Sequence, residues 1–377
     1  MTLALPAACQ TFSATAFANP SGPGSLQPNW SATPDAAAVL SWIEPSPDGL
    51  SALKYAVRRG AAWSEPRTIV AHRHFFRHPA EVPEVMAMAD GHWLAHWVEL
   101  PDPSSDAEYV YVSSSADGAH WTPPAQAHRD RSPVQHGLVS MIGNTGGGAS
   151  LFFLESLKGD DGPTYLMRTI VDASGKEVSE ERLDNDVCSC CPTAVAKTAK
   201  GLLVAYRDHT SKNIRDIAVL RLENGHWSAS KTLYNDNWEI DACPINAAAV
   251  AAQGDRAAIS WYTAAQDSPR VRIAFSSDSG ATFTKPTTVS TGHALGYTSL
   301  ALEDQGNAIV SWLEQGAQSA RVLVRAVTAA GAAGPVLEIA KGEKTALGYP
   351  KLIRIGNDTL IAWGSKVQTA SLSNRTK

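Results

Sequence analysis

The chain has 377 residues, of which 44% are hydrophobic and 18% are charged, with 28 glycines and 22 prolines. This composition is typical of a turn-rich globular domain and argues against intrinsic disorder. The formal net charge of −5 leaves no basic stripe, so nucleic acid and anionic membranes are not expected as partners. No apolar run reaches the roughly 20 residues that a membrane-spanning helix requires.

The amino terminus resembles the end of a bacterial export signal. An apolar stretch and small residues precede Cys9, which is a candidate for lipid attachment. We therefore expect residues 1–9 to be a leader or the remnant of an export signal, with an ordinary apolar leader as the alternative. Export would place the protein in the periplasm or outside the cell, and lipidation at Cys9 would anchor it to a membrane.

Beyond this leader, a repeat occupies the chain. Short runs of β-forming residues, without a helical period, each contain an aromatic residue, and these aromatic residues recur every 51 to 56 positions. We call them the anchors of the repeat. The seven anchors are Trp42, Trp97, Phe153, Tyr206, Trp261, Trp312 and Trp363.

Each complete copy of the repeat predicts four short strands. In the fifth copy these are Asn246–Ala251, Ala257–Thr263, Arg270–Ser276 and Thr287–Ser290, separated by Gly, Asp, Ser and Pro. A unit of about fifty residues cannot bury both faces of its own sheet, so the copies must stack on one another. The sequence therefore predicts an all-β fold, a seven-bladed β-propeller of four-stranded antiparallel blades.

The last copy is short and ends with the chain. It predicts three strands, at Lys351–Ile355, Thr359–Trp363 and Val367–Leu372, and Gln10–Phe17 is the candidate for the missing outer strand. Pairing of the two terminal strands would remove an open sheet edge. Residues 10–377 are thus expected to form one propeller domain, with six blades as the alternative if the first and last copies merge.

Two turns carry the pattern Ser-x-Asp-x-Gly-x-x-Trp/Phe, known as the Asp-box. The fifth copy has a full match at Ser276–Phe283, and the second copy has a near match at Ser114–Trp121, where the aspartate comes one residue late. In such a turn the aspartate accepts backbone N–H bonds and the glycine supplies a positive φ. On these motifs and the repeat, the whole chain resembles the sialidase-like BNR-repeat propeller superfamily.

That resemblance implies one candidate function, an exo-sialidase or another hydrolase of an acidic saccharide. Sialidases hold a carboxylated sugar with three arginines and use an aspartate as the acid/base. The candidates here are Arg77, Arg207 and Arg215 for the arginines and Asp208 for the carboxylate, whereas no motif assigns a tyrosine nucleophile. Salt bridges between strands are the alternative interpretation of Arg207 and Arg215.

Four cysteines are concentrated in the middle of the chain. Cys188, Cys190 and Cys191 form a cluster, and Cys191 and Cys243 each precede a proline at matching places in neighbouring copies. A residue before proline is held extended, so both side chains are expected to point towards the propeller axis. The Cys-x-Cys-Cys cluster also resembles, over four residues only, the copper-binding segment of a bacterial periplasmic copper-resistance family.

Two histidines, His78 and His136, share the phase of those cysteines in the repeat. Thiolate and imidazole together suit Cu(I), zinc or iron, and the richness in thiolates favours copper or zinc, with copper as the first candidate and zinc as the alternative. We therefore expect a metal-binding or redox-linked site at the axial mouth. Its candidate ligands are Cys188, Cys190, Cys191, Cys243, His78 and His136.

The cysteines have other interpretations. In an exported protein they commonly form disulfides, including a bridge from Cys243 to the cluster, or they remain reactive thiols. The hypotheses are then an exported copper-binding or redox-linked propeller, a glycan-active hydrolase with structural disulfides, and a scaffold that binds a protein partner. Whether the chain is an enzyme stays open at this point.

Overall fold

The computed structural model describes residues 11–374 apart from residues 103 and 161. The described chain forms seven antiparallel sheets, and the prediction of an all-β, seven-bladed propeller is confirmed. Two sheets carry a short fifth strand beside the usual four. Two short helical segments, Ala265–Asp267 and Lys344–Leu347, interrupt the loops, and no helix in the described part is long and apolar enough to cross a membrane. The leader at residues 1–9 lies outside the described residues.

The blades are numbered here along the chain, and the strands of each are given from the axis outwards. Blade 1 contains Leu26–Ala32, Ala38–Pro45, Ser51–Arg59 and Ala62–Trp63, with Arg67–Arg73 also paired to its third strand. Blade 2 contains Glu84–Ala87, Trp93–Glu99, Tyr109–Ser115 and Ala125–Gln126. Blade 3 contains Gln135–Gly143, Ala149–Asp160, Thr164–Val171 and Glu177–Asp184. Blade 4 contains Ala194–Thr198, Gly201–Arg207, Ile217–Glu223 and His226–Trp227, with Lys231–Thr232 also paired to its third strand.

The remaining blades follow the same order. Blade 5 contains Ala249–Gln253, Arg256–Thr263, Arg270–Ser276 and Thr287–Thr288. Blade 6 contains Ala294–Leu302, Ala308–Gln315, Ala320–Val327 and Ala333–Gly342. Blade 7 contains Lys351–Ile355, Asp358–Trp363 and Gln368–Asn374, and its outermost strand is Phe12–Ala16 from the other end of the chain.

The two ends of the chain meet in blade 7. Phe12–Ala16 pairs antiparallel with Gln368–Asn374, in a register that sets Ala14 opposite Leu372. Phe12 is buried, and it belongs to the largest apolar cluster of the molecule. The ring is therefore closed by backbone hydrogen bonds and by apolar packing. The strand Phe12–Ala16 covers the edge that Gln368–Asn374 would otherwise expose.

The anchors of the repeat are buried and pack between neighbouring blades. In one apolar cluster Trp42 of blade 1 packs with Leu360 and Ala362 of blade 7. Three anchor tryptophans donate their indole N–H to a glutamate two residues further along the same strand. The pairs are Trp42 with Glu44, Trp97 with Glu99, and Trp312 with Glu314. The glutamates in these blades are thus partners of a neighbouring donor, and Glu99 and Glu314 are buried, as befits a structural role.

The two Ser–Asp–Gly turns close the third strand onto the fourth at the periphery of their blades. In blade 5, Ser276 Oγ accepts a hydrogen bond of 2.9 Å from Gly280 N, and Asp278 Oδ1 accepts one of 2.9 Å from Thr282 N. Gly280 has a φ of +81°, a conformation that glycine adopts without steric cost. In the corresponding turn of blade 2, Gly118 N donates to Ser115 Oγ at 2.9 Å.

Closure by the amino-terminal strand makes a stability prediction. Replacing Phe12 with alanine removes a buried aromatic side chain and should lower the free energy of unfolding by about 3–5 kcal/mol. Thr15→Ala, at an exposed position of the same strand, is the matched control and should change it by less than about 0.5 kcal/mol. Urea unfolding measures both, and equal effects of the two changes would contradict closure through Phe12.

Candidate active site at the axial mouth

A cavity of about 450 Å³ opens where the loops that precede the inner strands meet. It is lined by the loops entering blades 2, 4 and 5, by the inner strand of blade 3, and by the loop between the second and third strands of blade 2. The polar and sulfur-containing side chains that bear on its chemistry are His78, Asp106, Glu108, Cys190 and Cys243. Its volume lies in the usual range for pockets that bind small molecules.

Glu108 is the carboxylic acid best placed for chemistry in this cavity. Its backbone is fixed on both sides, since Glu108 N donates to Val134 O and His136 N donates to Glu108 O. Burial, with a smaller contribution from the neighbouring Asp106 carboxylate, raises the pKa of Glu108 to about 7. A carboxyl group with such a pKa is able both to donate and to accept a proton near neutral pH.

A second carboxyl group lies behind Glu108. Glu81 is buried, and its Oε2 accepts a hydrogen bond from Leu138 N. Burial raises the pKa of Glu81 to about 8, and the nearby Glu108 carboxylate adds to the increase. Gly137 permits the two side chains to approach, because a Cβ there would lie 2.8 Å from Glu108 Oε2 and 3.3 Å from Glu81 Oε2.

His78 also lines the cavity, stacked on Phe76 with ring centroids 5.4 Å apart. Its Nδ1 accepts a hydrogen bond of 3.3 Å from Ala80 N, which makes Nε2 the protonated nitrogen of the neutral ring. Burial lowers the pKa of His78, so the imidazole is neutral at physiological pH. Of the two histidines predicted at the mouth, His78 is the one that reaches this cavity.

The cysteines meet at the edge of the cavity. Cys190 and Cys243 form a disulfide that ties the loop entering blade 4 to the loop entering blade 5, so one of the alternatives to metal binding is present. Cys188 and Cys191 are free and buried. Cys188 Sγ lies 3.5 Å from Cys191 Sγ and 3.7 Å from Cys190 Sγ.

The two free thiols are in different electrostatic environments. Cys188 Sγ is in hydrogen-bond contact with Cys191 Sγ, and it accepts a hydrogen bond of 3.2 Å from Arg215 Nη1. The Cys191 hydrogen bond, followed by the positive charge of Arg207 and then of Arg215, lowers the pKa of Cys188 to about 6. Burial and the Cys188 thiolate raise the pKa of Cys191. Cys188 is therefore the thiolate of the pair at neutral pH.

His136 lies apart from the sulfur cluster. It is fully buried and faces Glu155, with 3.4 Å between His136 Nε2 and Glu155 Oε2. Its ring stacks on His128 with centroids 3.8 Å apart. The structure thus brings Cys188, Cys190, Cys191 and Cys243 together and sets His78 at the same cavity, whereas His136 contacts carboxylates instead of sulfur.

Of the three arginines predicted as a clamp, Arg207 and Arg215 are neighbours, whereas Arg77 contacts blade 1. Arg77 donates to the 49–51 loop of blade 1, including Ser51 Oγ at 2.6 Å. Arg207 is buried and donates to the backbone carbonyls of residues 215, 246 and 262. Asp208 is half-buried, and burial raises its pKa to about 6, but it is not among the residues that line the cavity.

Glu81, Asp106 and Glu108 are site residues that the sequence does not mark by any motif. Asp106 and Glu108 come from the loop between the second and third strands of blade 2, whereas only the entries to the inner strands are marked by the repeat. One usable signal is the length of this loop, which runs from 100 to 108 while the equivalent loop of blade 1 runs from 46 to 50.

The fold and the cavity define a propeller of the BNR-repeat class with a concave site at its axis. The chain belongs to the family described as the BNR repeat-like domain, whose model matches residues 52–360. The predicted membership of the sialidase-like BNR propeller superfamily is therefore confirmed. No curated protein gives a significant sequence match to this chain.

Solved structures with very different sequences share the fold. An ulvan lyase of polysaccharide lyase family PL25 has a TM-score of 0.60 at 10% identity, with 96% of each chain covered. The α-L-arabinanase of Penicillium chrysogenum in complex with arabinobiose has a TM-score of 0.52 at 11% identity, covering 96% of this chain and 98% of that one. A puromycin hydrolase has a TM-score of 0.57 at 12% identity, with 90% of this chain but 50% of that one covered.

The buried carboxyl pair predicts a pH-dependent stability. Because the folded-state pKa of Glu81 is raised from 4.5 to about 8, its contribution is fully present below pH 4.5 and is lost as the pH rises to about 8. Glu81→Gln removes this dependence, so the melting temperature of the wild type minus that of the variant should fall between pH 5 and pH 8. Thermal scans across this range measure the difference, and a constant difference would refute a proton held at Glu81.

Proposed function

We propose that the protein is a carbohydrate-active enzyme that cleaves a neutral saccharide in the axial cavity, with Glu108 as the general acid. The observation that carries this proposal is a carboxyl group with a pKa of about 7, in a cavity of about 450 Å³, next to a second carboxyl group at Asp106. Hydrolysis of a glycosidic bond commonly uses two such groups, one protonated and one ionised.

The two carboxyl groups divide the reaction between them. Protonated Glu108 donates its proton to the glycosidic oxygen as the bond from that oxygen to the anomeric carbon breaks. The ionised Asp106 side chain, less buried than Glu108, takes a proton from the water that attacks the anomeric carbon. The Glu81 carboxyl group accepts a hydrogen bond from Leu138 N. While Glu81 is protonated it is neutral, so it adds no second negative charge beside Glu108.

The charge of the cavity supports a neutral substrate. Its lining includes two carboxyl groups, and no arginine or lysine is among the described residues that form it. A carboxylated sugar would be repelled there, and the guanidinium of Arg207 is already occupied by backbone carbonyls. Among proteins with this fold, the arabinanase complex holds arabinobiose, and the ulvan lyase is a polysaccharide lyase, so the fold is compatible with saccharide cleavage.

Mutation of the proposed acid tests this function. Release of reducing ends is measured over a panel of neutral and acidic oligosaccharides and polysaccharides, and we expect activity on a neutral member. Glu108→Gln should lower kcat by roughly 100- to 10,000-fold, because it removes the transferable proton. Activity of the wild type should decline as the pH rises through about 7, the pKa of Glu108.

Asp102→Asn is the matched control for Glu108→Gln. Asp102 lies in the same loop but outside the cavity lining, so its change should leave kcat within about twofold. Full activity of Glu108→Gln, or cleavage confined to acidic sugars, would contradict the proposed role and substrate. Cleavage by β-elimination, detected by an unsaturated product, would replace hydrolysis with a lyase reaction.

A second candidate function is supported by the sulfur cluster. We propose that reduction of the disulfide creates a soft-metal site, in which Cys188, Cys190 and Cys191 bind Cu(I), with zinc as the alternative. The three sulfur atoms already lie within 3.5–3.9 Å of one another, which is the spacing of ligands around one metal ion. A disulfide in the resting state is consistent with export to an oxidising compartment, where the protein would be periplasmic or secreted.

Metal uptake before and after reduction tests the sulfur site. The anaerobically reduced protein should take up about one equivalent of Cu(I), and the oxidised protein should take up much less, because Cys190 is then bound to Cys243. Cys188→Ser combined with Cys191→Ser should abolish the uptake. Elemental analysis of desalted protein measures both, and equal copper contents of reduced wild type and double variant would disprove a cluster site.

A further inference from the structure

A glutamate follows four of the seven anchors by two residues, and the groups around it show which charge its site favours. In blade 1 Glu44 pairs with Lys54, in blade 2 Glu99 pairs with Arg73, and in blade 6 Glu314 pairs with Arg321. In these three blades the carboxylate therefore has a cationic side chain beside it, together with the indole N–H of the anchor. A buried carboxylate generally needs such a partner.

Blade 3 departs from this pattern. Its anchor is Phe153, which has no N–H to donate, and no lysine or arginine pairs with Glu155 in the described part of the chain. Glu155 is nevertheless 6% exposed, about as buried as Glu99 at 5%. The group that faces it is His136 Nε2, at 3.4 Å, on the inner strand of the same blade.

The hydrogen bonds of His136 determine which of its nitrogens is free. Nδ1 is 3.2 Å from Glu108 O, an acceptor, so Nδ1 carries the proton. Nε2 of the neutral ring then holds a lone pair, has no hydrogen-bond partner, and belongs to a side chain with 0% exposure. A carbonyl-bound Nδ1–H is the common way in which proteins orient a histidine that ligates a metal through Nε2.

We propose that Asp130, His136 and Glu155 bind a divalent transition-metal cation, with zinc as the best fit. One ligand atom from each residue lies within 4.8 Å of the other two. Ligand atoms around tetrahedral zinc lie about 3.4 Å apart for bonds of about 2.0–2.1 Å, which the distance of 3.4 Å between His136 Nε2 and Glu155 Oε2 already matches. An imidazole with two carboxylates suits zinc better than calcium or magnesium, which prefer oxygen ligands alone.

The ion would connect two elements that meet here. Asp130 belongs to the loop from blade 2 into blade 3, and His136 and Glu155 face each other on the first two strands of blade 3. Asp130 is partly exposed, so a cation can enter from solvent through its side of the site. Through the bond from His136 to Glu108 O, the ion would also hold the backbone of Glu108, although cation binding does not depend on any activity of that residue.

Zinc binding by untagged, EDTA-treated protein tests the proposal. The background is Cys188→Ser with Cys191→Ser, which removes the free thiols as competing ligands. Calorimetry should show about one equivalent of zinc per chain. Asp130→Asn combined with Glu155→Gln should weaken binding by more than about 100-fold, since loss of even an outer-shell partner costs roughly 10- to 100-fold. Co²⁺ substitution should give the visible bands of nitrogen and oxygen ligation without the thiolate-to-cobalt charge-transfer absorption.

Asp102→Asn is again the matched control, because Asp102 makes the same turn as Asp130. Ser104 donates to Asp102 from N at 2.8 Å and from Oγ at 2.7 Å, and Ser132 donates to Asp130 at the same two distances. The control should bind zinc as its parent does. Absence of zinc binding by the folded parent protein, or unchanged binding by the double variant, overturns the proposal. Asp130→Asn alone, at a partly exposed position, covers the case in which the double variant does not fold.

Discussion

Mutual burial of neighbouring blades is the constraint on which the rest of this structure depends. A four-stranded sheet of about fifty residues hides its faces only against another sheet, so each anchor packs into the next blade and the ring has to close. Closure comes from Phe12–Ala16, which completes blade 7 from the opposite end of the chain. The carboxylates that follow Trp42, Trp97 and Trp312 accept hydrogen bonds from the indole N–H groups of these three anchors.

Closure of the ring also brings together the side chains that line the axial mouth. Loops from blades 2, 4 and 5 converge there, and their side chains are removed from water by the fold as a whole and not by local packing. Burial raises the pKa of Glu81 and of Glu108, and the Glu108 carboxylate adds to the increase at Glu81. Close by, Arg207 and Arg215 have the opposite effect on Cys188, whose pKa falls. Neighbouring regions of one mouth thus favour a protonated acid and an ionised thiol.

The sequence predicts the fold well and the site in part, for a physical reason. Anchors, turns and strand alternation recur in every blade, so each copy reports the same local structure, and in blade 5 the predicted strand Arg270–Ser276 has the observed bounds. Site residues do not recur. The phase of the repeat singles out Cys243 and His78, and both line the cavity, but Glu108 enters from a loop that the repeat does not mark. The pairing of Cys190 instead of Cys191 with Cys243 depends on loop geometry that no spacing encodes.

Departures from the repeat are therefore more informative about function than the repeat itself. An arrangement that recurs at the same place in several blades, such as the tryptophan, glutamate and cation of blades 1, 2 and 6, is explained by the packing that those blades share. Where one blade keeps the buried glutamate but lacks the tryptophan and the cation, another group has to stabilise the carboxylate. In blade 3 the anchor lacks the indole N–H and the carboxylate lacks its cationic side chain, yet Glu155 remains buried beside the lone pair of His136. A buried carboxylate generally needs a positive charge beside it, and the carboxylate of Asp130 close to the same lone pair favours a doubly charged metal ion as its source.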